Sequence, residues 1–151
     1  MEWMLMPLRR YAEFTGRSRR KEFWMWMLLN FLVFGAIMIA FGATGGFARF
    51  AGLDPANPFG VYGALFSGVG ILIAVWWLVT FVPNIALVVR RLHDRDMSGW
   101  WYLGIFVANF IPIINMVAGI GFLVLMCLEG TRGSNRFGPD PKDPTSADVF
   151  A

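Results

Sequence analysis

Residues 23–43 read FWMWMLLNFLVFGAIMIAFGA, a run of 21 residues without a charged side chain. Ten of them are Leu, Ile, Phe or Val, and each such residue favours insertion at the centre of a bilayer by about 0.3 to 0.6 kcal/mol. In a helix that rises about 1.5 Å per residue, the run reaches about 30 Å, which is the thickness of the hydrocarbon core. The run therefore predicts a helix that spans a membrane.

Two further uncharged segments follow it, at residues 61–89 and 101–128. The whole chain has 151 residues, of which 57% are hydrophobic and only 15% are charged, whereas soluble domains carry about a quarter charged residues. A soluble core of this size could not bury so many large apolar side chains. The sequence therefore predicts an all-α integral membrane protein, with three long apolar segments that form three to four membrane helices at about 23–43, 61–89 and 101–128.

The third segment has Pro112 near its middle, with Asn109 and Asn115 on either side. One interpretation is a single kinked helix that crosses the bilayer. The other is a break at Asn109–Pro112 that gives a hairpin of two short helices, which enter and leave the membrane on the same side. The length of the segment favours the kinked span, and the placement of the charges favours the hairpin.

Polar sequences lie on both sides of this membrane domain (residues 23–128). In residues 1–22, which are basic, Met4, Leu8, Tyr11 and Phe14 recur at helical spacing and predict a short helix that lies on the membrane surface. The alternative is that this stretch is only a basic flank that sets the topology. Residues 129–151 are rich in Gly and Pro and predict a polar tail built of turns. We expect these three parts to form one domain overall.

The positions of the cations predict how the chain is oriented. Six Lys and Arg residues precede the first apolar segment and three follow the second, whereas the connection at Thr44–Phe59 contains only Arg49. By the positive-inside rule the N-terminus is cytoplasmic and this connection lies outside. Three further cations in the tail favour a cytoplasmic C-terminus as well.

Tryptophans mark the ends of the apolar segments. Trp24 stands at the start of the first segment, and Trp100 and Trp101 stand at the start of the third. An amphipathic indole is favoured at the depth of the lipid headgroups. We therefore expect these three residues to act as interfacial anchors.

Nearly all the polar chemistry lies in three short stretches: GRSRRKEFW at residues 16–24, RRLHDRDMSGWW at residues 90–101, and EGTRGSNRFGPDP at residues 129–141. In this order, between apolar segments, they resemble the motifs of the small bacterial inner-membrane family catalogued as domain of unknown function 805. The resemblance covers about residues 8–142. It implies a multi-pass protein of the bacterial inner membrane, and it implies no activity. Met97 departs from the pattern, since the family often has a basic residue there.

The three stretches supply our candidate site, a polar cluster at the cytoplasmic membrane edge. We expect its arginines to pair with carboxylates and so to orient the helices, with Glu22 paired directly to Arg91. The predicted members of the cluster, for structural, ligand or lipid contact, are Arg17, Arg20, Glu22, Arg91, His93, Asp94, Asn135, Arg136 and Asp140.

A more specific hypothesis makes the cluster a reactive site. His93 would act as an acid or base that a carboxylate orients, or would bind a metal together with Asp94 and Asp96. A single histidine at this spacing is a weak metal signal, and none of the stretches is a recognised catalytic signature. We therefore assign no catalytic residue, no metal and no cofactor.

Three functions remain open from the sequence. The first is a non-enzymatic membrane protein that contacts anionic lipids or protein partners through the Arg/His/Asp cluster. The second is a small transporter or channel subunit that works as a homo-oligomer, although intramembrane charges, which usually mark ion routes, do not occur in the three apolar segments. The third is a lipid-modifying enzyme that uses His93 and Asp94. Nucleic acid is not an expected partner, because every cation cluster adjoins a membrane segment.

Overall fold

A computed structural model describes residues 2–54, 56–66 and 68–143 of the chain. The part of the predicted tail after residue 143 lies outside the described residues. Within them the fold is entirely helical, with no strand. The helices are α1 (Glu2–Arg9), α2 (Arg20–Ala43), α3 (Gly46–Ala51), α4 (Pro58–Leu65), α5 (Gly68–His93), α6 (Trp100–Ala108) and α7 (Ile114–Cys127).

Two of these helices, α2 and α5, are long and apolar enough to cross a membrane. Helix α2 begins at Arg20, three residues earlier than the apolar run alone indicates, and Glu22 in its first turn suits the positive end of the helix dipole. Helix α5 ends at His93 with basic residues in its last turn, which suits the negative end. The second predicted helix, 61–89, is thus wrong at its start, because α4 is separate from α5.

The third apolar segment is broken into α6 and α7, so the single kinked helix is wrong. Pro112 has no backbone N–H to continue the helix, and Ile113 has a left-handed φ of 72°. The two helices run antiparallel, because Tyr102 and Phe122, which are equally far from Pro112 in sequence, have ring centroids 6.3 Å apart. With 9 and 14 residues, the helices are about 14 and 21 Å long, shorter than the hydrocarbon core.

The predicted N-terminal helix is present as α1, but it ends at Arg9, before Tyr11 and Phe14. Helix α3, which the sequence analysis did not predict, begins after Gly45, whose φ of 71° is readily adopted by glycine. Residues 128–143 contain no helix; their turns include Gly133 and Gly138, both with positive φ.

The contacts of the chain divide it into two compact units. One comprises the described residues of 1–26 and 82–151, and its buried apolar side chains include Phe23, Trp26, Leu87, Leu92 and Met126. The other comprises the described residues between 27 and 81.

Each unit contains an indole bonded to an asparagine. In the first, Trp26 Nε1 donates to Asn84 Oδ1 at 2.5 Å; in the second, Trp76 Nε1 donates to Asn30 Oδ1 at 3.0 Å. Thr80 Oγ1 also donates to the Trp76 carbonyl at 2.8 Å. These bonds satisfy polar groups inside apolar helices, where an unsatisfied group is costly.

Candidate functional site

The three polar stretches meet in the first unit. Hydrogen bonds from arginine side chains join three segments there: the residues before α2, the end of α5 with the loop that follows it, and the chain from the end of α7 into the tail. Three elements that the sequence separates by apolar segments therefore form one polar cluster.

Arg17 lies at the centre of this cluster and is only 5% exposed. Its Nε donates to Asp94 Oδ1 at 3.0 Å. The two terminal nitrogens of its guanidinium donate to carbonyl oxygens of the tail, Gly133 at 2.6 Å and Thr131 at 2.5 Å. One planar side chain thus joins the residue before α2 to the loop after α5 and to the tail, which is the multidentate geometry that arginine provides and lysine does not.

The Asp94 carboxylate accepts hydrogen bonds from two arginines, since Arg91 donates to it as well as Arg17. Its backbone carbonyl accepts the N–H of Thr131 at 2.8 Å, which attaches the tail a second time. The tail passes so close that a Cβ at Gly130 would lie 2.0 Å from Asp94 Oδ2. Gly130 is therefore required by the close approach of the backbone to this carboxylate.

Glu22 pairs with Arg90 and not with Arg91, so the predicted Glu22–Arg91 ion pair is wrong. Arg90 donates to Glu22 Oε1 at 3.1 Å, and Ser18 Oγ donates to Oε2 at 2.6 Å. Successive residues of a helix point about 100° apart, so Arg90 and Arg91 face different partners. Arg91 instead donates to Asp94 and to the Leu128 carbonyl at the end of α7.

His93 stacks on Phe137, with ring centroids 3.8 Å apart and planes within 5° of parallel. Its Nδ1 lies 3.3 Å from the Gly16 carbonyl oxygen, so the proton of that contact is on Nδ1. Asn135 Nδ2 donates to the His93 carbonyl at 2.8 Å and so holds the tail to the end of α5. The expected orienting carboxylate is replaced by a backbone carbonyl.

The metal hypothesis finds no support in this geometry. Among the described residues, no group of three or more His, Cys, Asp or Glu side chains is arranged to hold a metal ion. Asp94 is directed to two arginines, and Asp96 pairs with Arg136 at 3.2 Å.

The remaining predicted members form the exposed rim of the cluster. Arg20 donates to Glu129 Oε1 at 2.6 Å, and Lys142 and Arg20 together lower the pKa of the Glu129 carboxyl. Asp140 closes a turn of the tail, where it accepts the backbone N–H groups of Lys142 at 2.9 Å and Gly133 at 3.1 Å. These hydrogen bonds favour the ionised form and lower the pKa of Asp140.

Sequence reasoning missed Ser18, Arg90, Thr131 and Phe137 as members of the cluster. The Arg90-Arg91 dipeptide at the end of a helix was an available signal, because both side chains cannot face the same partner. The stacking of Phe137 on His93 depends on the path of an irregular tail, and its residue type alone gives no such signal. The predicted anchors Trp24, Trp100 and Trp101 are exposed at 41%, 77% and 59%.

Long apolar helices whose large side chains are exposed, such as Phe31 at 73% and Ile39 at 75%, are suited to contact with lipid. Together with the buried polar cluster at their ends, they define a small, all-helical integral membrane protein. Residues 11–139 match the family described as "Protein of unknown function (DUF805)", and the chain belongs to that family. The resemblance found in the three polar stretches is thereby confirmed.

Similar proteins are known in Escherichia coli. The chain is 40% identical over 142 residues to "Inner membrane protein YhaI" of strain K12, a match that covers 94% of this chain and 97% of the relative. It is 38% identical over 142 residues to "Inner membrane protein YhaH" of the same strain, with 94% and 98% covered. No solved structure matches the chain.

Proposed function

We propose that the chain is a non-enzymatic, multi-pass protein of the bacterial inner membrane that binds anionic lipids through its cytoplasmic face. In this proposal both termini are cytoplasmic. Helices α2 and α5 cross the bilayer, and α6 and α7 form a hairpin that enters and leaves from the cytoplasmic side.

The hydrogen bonds of Arg17 carry the proposed orientation. They join residues before α2, after α5 and after α7, and segments that bond directly must lie on the same side of a membrane. The positive-inside rule makes that side cytoplasmic. An α6–α7 hairpin returns the chain to the side from which it left, as these bonds require.

The partners of the buried charges argue for a structural role of the cluster and against an enzyme. Arg17, Glu22, Arg90, Arg91 and Asp94 are buried and bonded to one another or to backbone carbonyls. A catalytic acid or base must reach the group with which it exchanges a proton. The contacts of His93 are a backbone carbonyl and an aromatic face, which suit a positioning role better than catalysis.

The transporter hypothesis receives less support from the same contacts. Asn30 and Asn84 accept hydrogen bonds from tryptophans, and Thr80 bonds to its own helix. These polar groups within the apolar helices therefore already have partners inside the protein.

Lipid analysis tests the proposed function. The protein is purified in a neutral detergent at the lowest concentration that keeps it dispersed, and its retained phospholipids are compared with those of the source membrane. We expect enrichment of anionic phospholipids, and the same enrichment in the His93→Ala variant. Retained lipids with the composition of the bulk membrane would contradict lipid binding, and loss of a lipid-modifying activity on the substitution of His93 would favour the enzyme.

A further inference from the structure

The cations near the N-terminus divide into two groups. Arg10 pairs with Glu13 at 2.7 Å, Arg17 with Asp94 at 3.0 Å, and Arg20 with Glu129 at 2.6 Å. Arg9, Arg19 and Lys21 form no ion pair with a carboxylate in the described part of the chain. Only cations of the second group have their charge available for a ligand.

Arg19 and Lys21 converge on one aromatic ring. The Arg19 guanidinium carbon lies 5.6 Å and the Lys21 ammonium nitrogen 5.4 Å from the centroid of Trp3 in α1. Both distances are within the range of a cation–π interaction, which holds the two side chains beside the indole. Two cations beside one ring repel each other, and an anion that contacts both reduces that repulsion.

The surroundings of this site are suited to the membrane surface. Leu5 of α1 is 42% exposed and Trp24, near the start of α2, is 41% exposed. Arg19 and Lys21 adjoin the first residue of α2, the first helix that is able to span the bilayer. Cations and exposed apolar side chains at the end of such a helix are the combination that binds an anionic headgroup and its acyl chain.

We propose that Trp3, Arg19 and Lys21 form a binding site for the phosphodiester headgroup of an anionic phospholipid. The guanidinium and the ammonium contact the phosphate oxygens, and the indole positions both cations. This inference rests on the proposed function and assigns its lipid contact to residues outside the predicted cluster, whose buried arginines already have partners.

The test is a binding titration with the purified full chain in neutral detergent. The probes are dioctanoyl phosphatidylglycerol, dioctanoyl phosphatidylcholine and inorganic phosphate, and binding is followed by native mass spectrometry. We expect the double substitution Arg19→Gln, Lys21→Gln to weaken phosphatidylglycerol binding about tenfold or more, since each cation near an anionic lipid contributes substantially. We expect phosphatidylcholine to bind weakly to both proteins.

The matched control is Arg9→Gln, Arg132→Gln, which removes the same charge from two exposed arginines that form no ion pair in the described residues. We expect less than a twofold change. Equal losses in the two double variants would overturn the site in favour of a general charge effect. Inorganic phosphate that binds as tightly as the lipid would overturn the lipid as its ligand.

A third variant guards against misfolding. Trp3→Phe keeps an aromatic ring and should keep more affinity than Trp3→Leu, while circular dichroism should be unchanged in both; equal affinity of the two would count against the role of the ring.

Loss of binding on Arg19 and Lys21 substitution, together with a C-terminus on the outer side, would leave this site standing while the proposed orientation fails.

Discussion

The buried side chain of Arg17 holds the tail against the loop after α5. Its guanidinium bonds to Asp94 and to two carbonyls of the tail, so the Arg17→Gln variant leaves several acceptors without a donor. Removal of one partner from a buried ion pair costs about 3–5 kcal/mol. We expect a clear fall in the thermal unfolding midpoint and release of the tail, measured by tryptophan fluorescence and by protease access to residues after 128.

The control for this prediction is Arg136→Gln. Arg136 and Asp96 form an exposed ion pair, with side chains 59% and 47% exposed, and such pairs contribute about 0–1 kcal/mol. The midpoint should therefore change little. A larger loss in Arg136→Gln than in Arg17→Gln would contradict the central position of Arg17.

The partner of Glu22 can be tested by exchange of charges. Because Glu22 bonds to Arg90, the variant Glu22→Arg combined with Arg90→Glu should recover part of the stability that either single change loses. The combination of Glu22→Arg with Arg91→Glu should recover none, since Arg91 is bonded to Asp94. Recovery in the second pair alone would show that the assigned partner is wrong.

Gly130 gives a steric prediction. A methyl group at this position would lie 2.0 Å from the Asp94 carboxylate, so Gly130→Ala must displace either the tail or Asp94, with a cost of about 1–3 kcal/mol. Gly119→Ala in α7 is the control, because a Cβ there has no atom within 4 Å. Unfolding midpoints in detergent measure both, and equal midpoints would contradict the close approach at Gly130.

Among the helices, those features were predictable that depend on the length of an uncharged run or on a proline. An uncharged run of sufficient length predicted α2 to within three residues at its start, and Pro112 marked the break between α6 and α7. Helix α3 and the separation of α4 from α5 were not predicted, because α3 has only six residues and residues 61–89 contain no charge that marks a boundary. The polar cluster was predicted as a meeting of three stretches, but its individual partners depend on side-chain directions that spacing alone did not resolve.

The α6–α7 hairpin can be tested with a cross-link. In a Cys127→Ser background, cysteines that replace Tyr102 and Phe122 should be linked within one molecule by a short bifunctional maleimide, since the centroids of the two rings are 6.3 Å apart. A continuous helix would place them about 30 Å apart. Single-cysteine variants control for links between molecules, and the absence of an intramolecular link would contradict the hairpin.

At the scale of the whole molecule, the composition and the exposed apolar helices agree with membership of an inner-membrane family. The polar contacts add a constraint that neither composition nor family supplies, because the basic N-terminal segment, the loop after α5 and the tail all bond within one cluster. Under the proposed orientation the residues before α2 and the tail up to residue 143 lie on one side of the bilayer, so the number of complete crossings between them is even.

The location of the tail tests this claim most directly. A cysteine that replaces Lys142, just after Pro141, is introduced in a Cys127→Ser background, and an impermeant maleimide is applied to spheroplasts before and after the membrane is permeabilised. Labelling is expected only after permeabilisation, both at position 142 and at a cysteine that replaces Arg9. Labelling at position 142 but not at position 9 in intact spheroplasts would contradict the cluster, because Arg17 and the tail could not then meet, and labelling at both positions would contradict the cytoplasmic orientation.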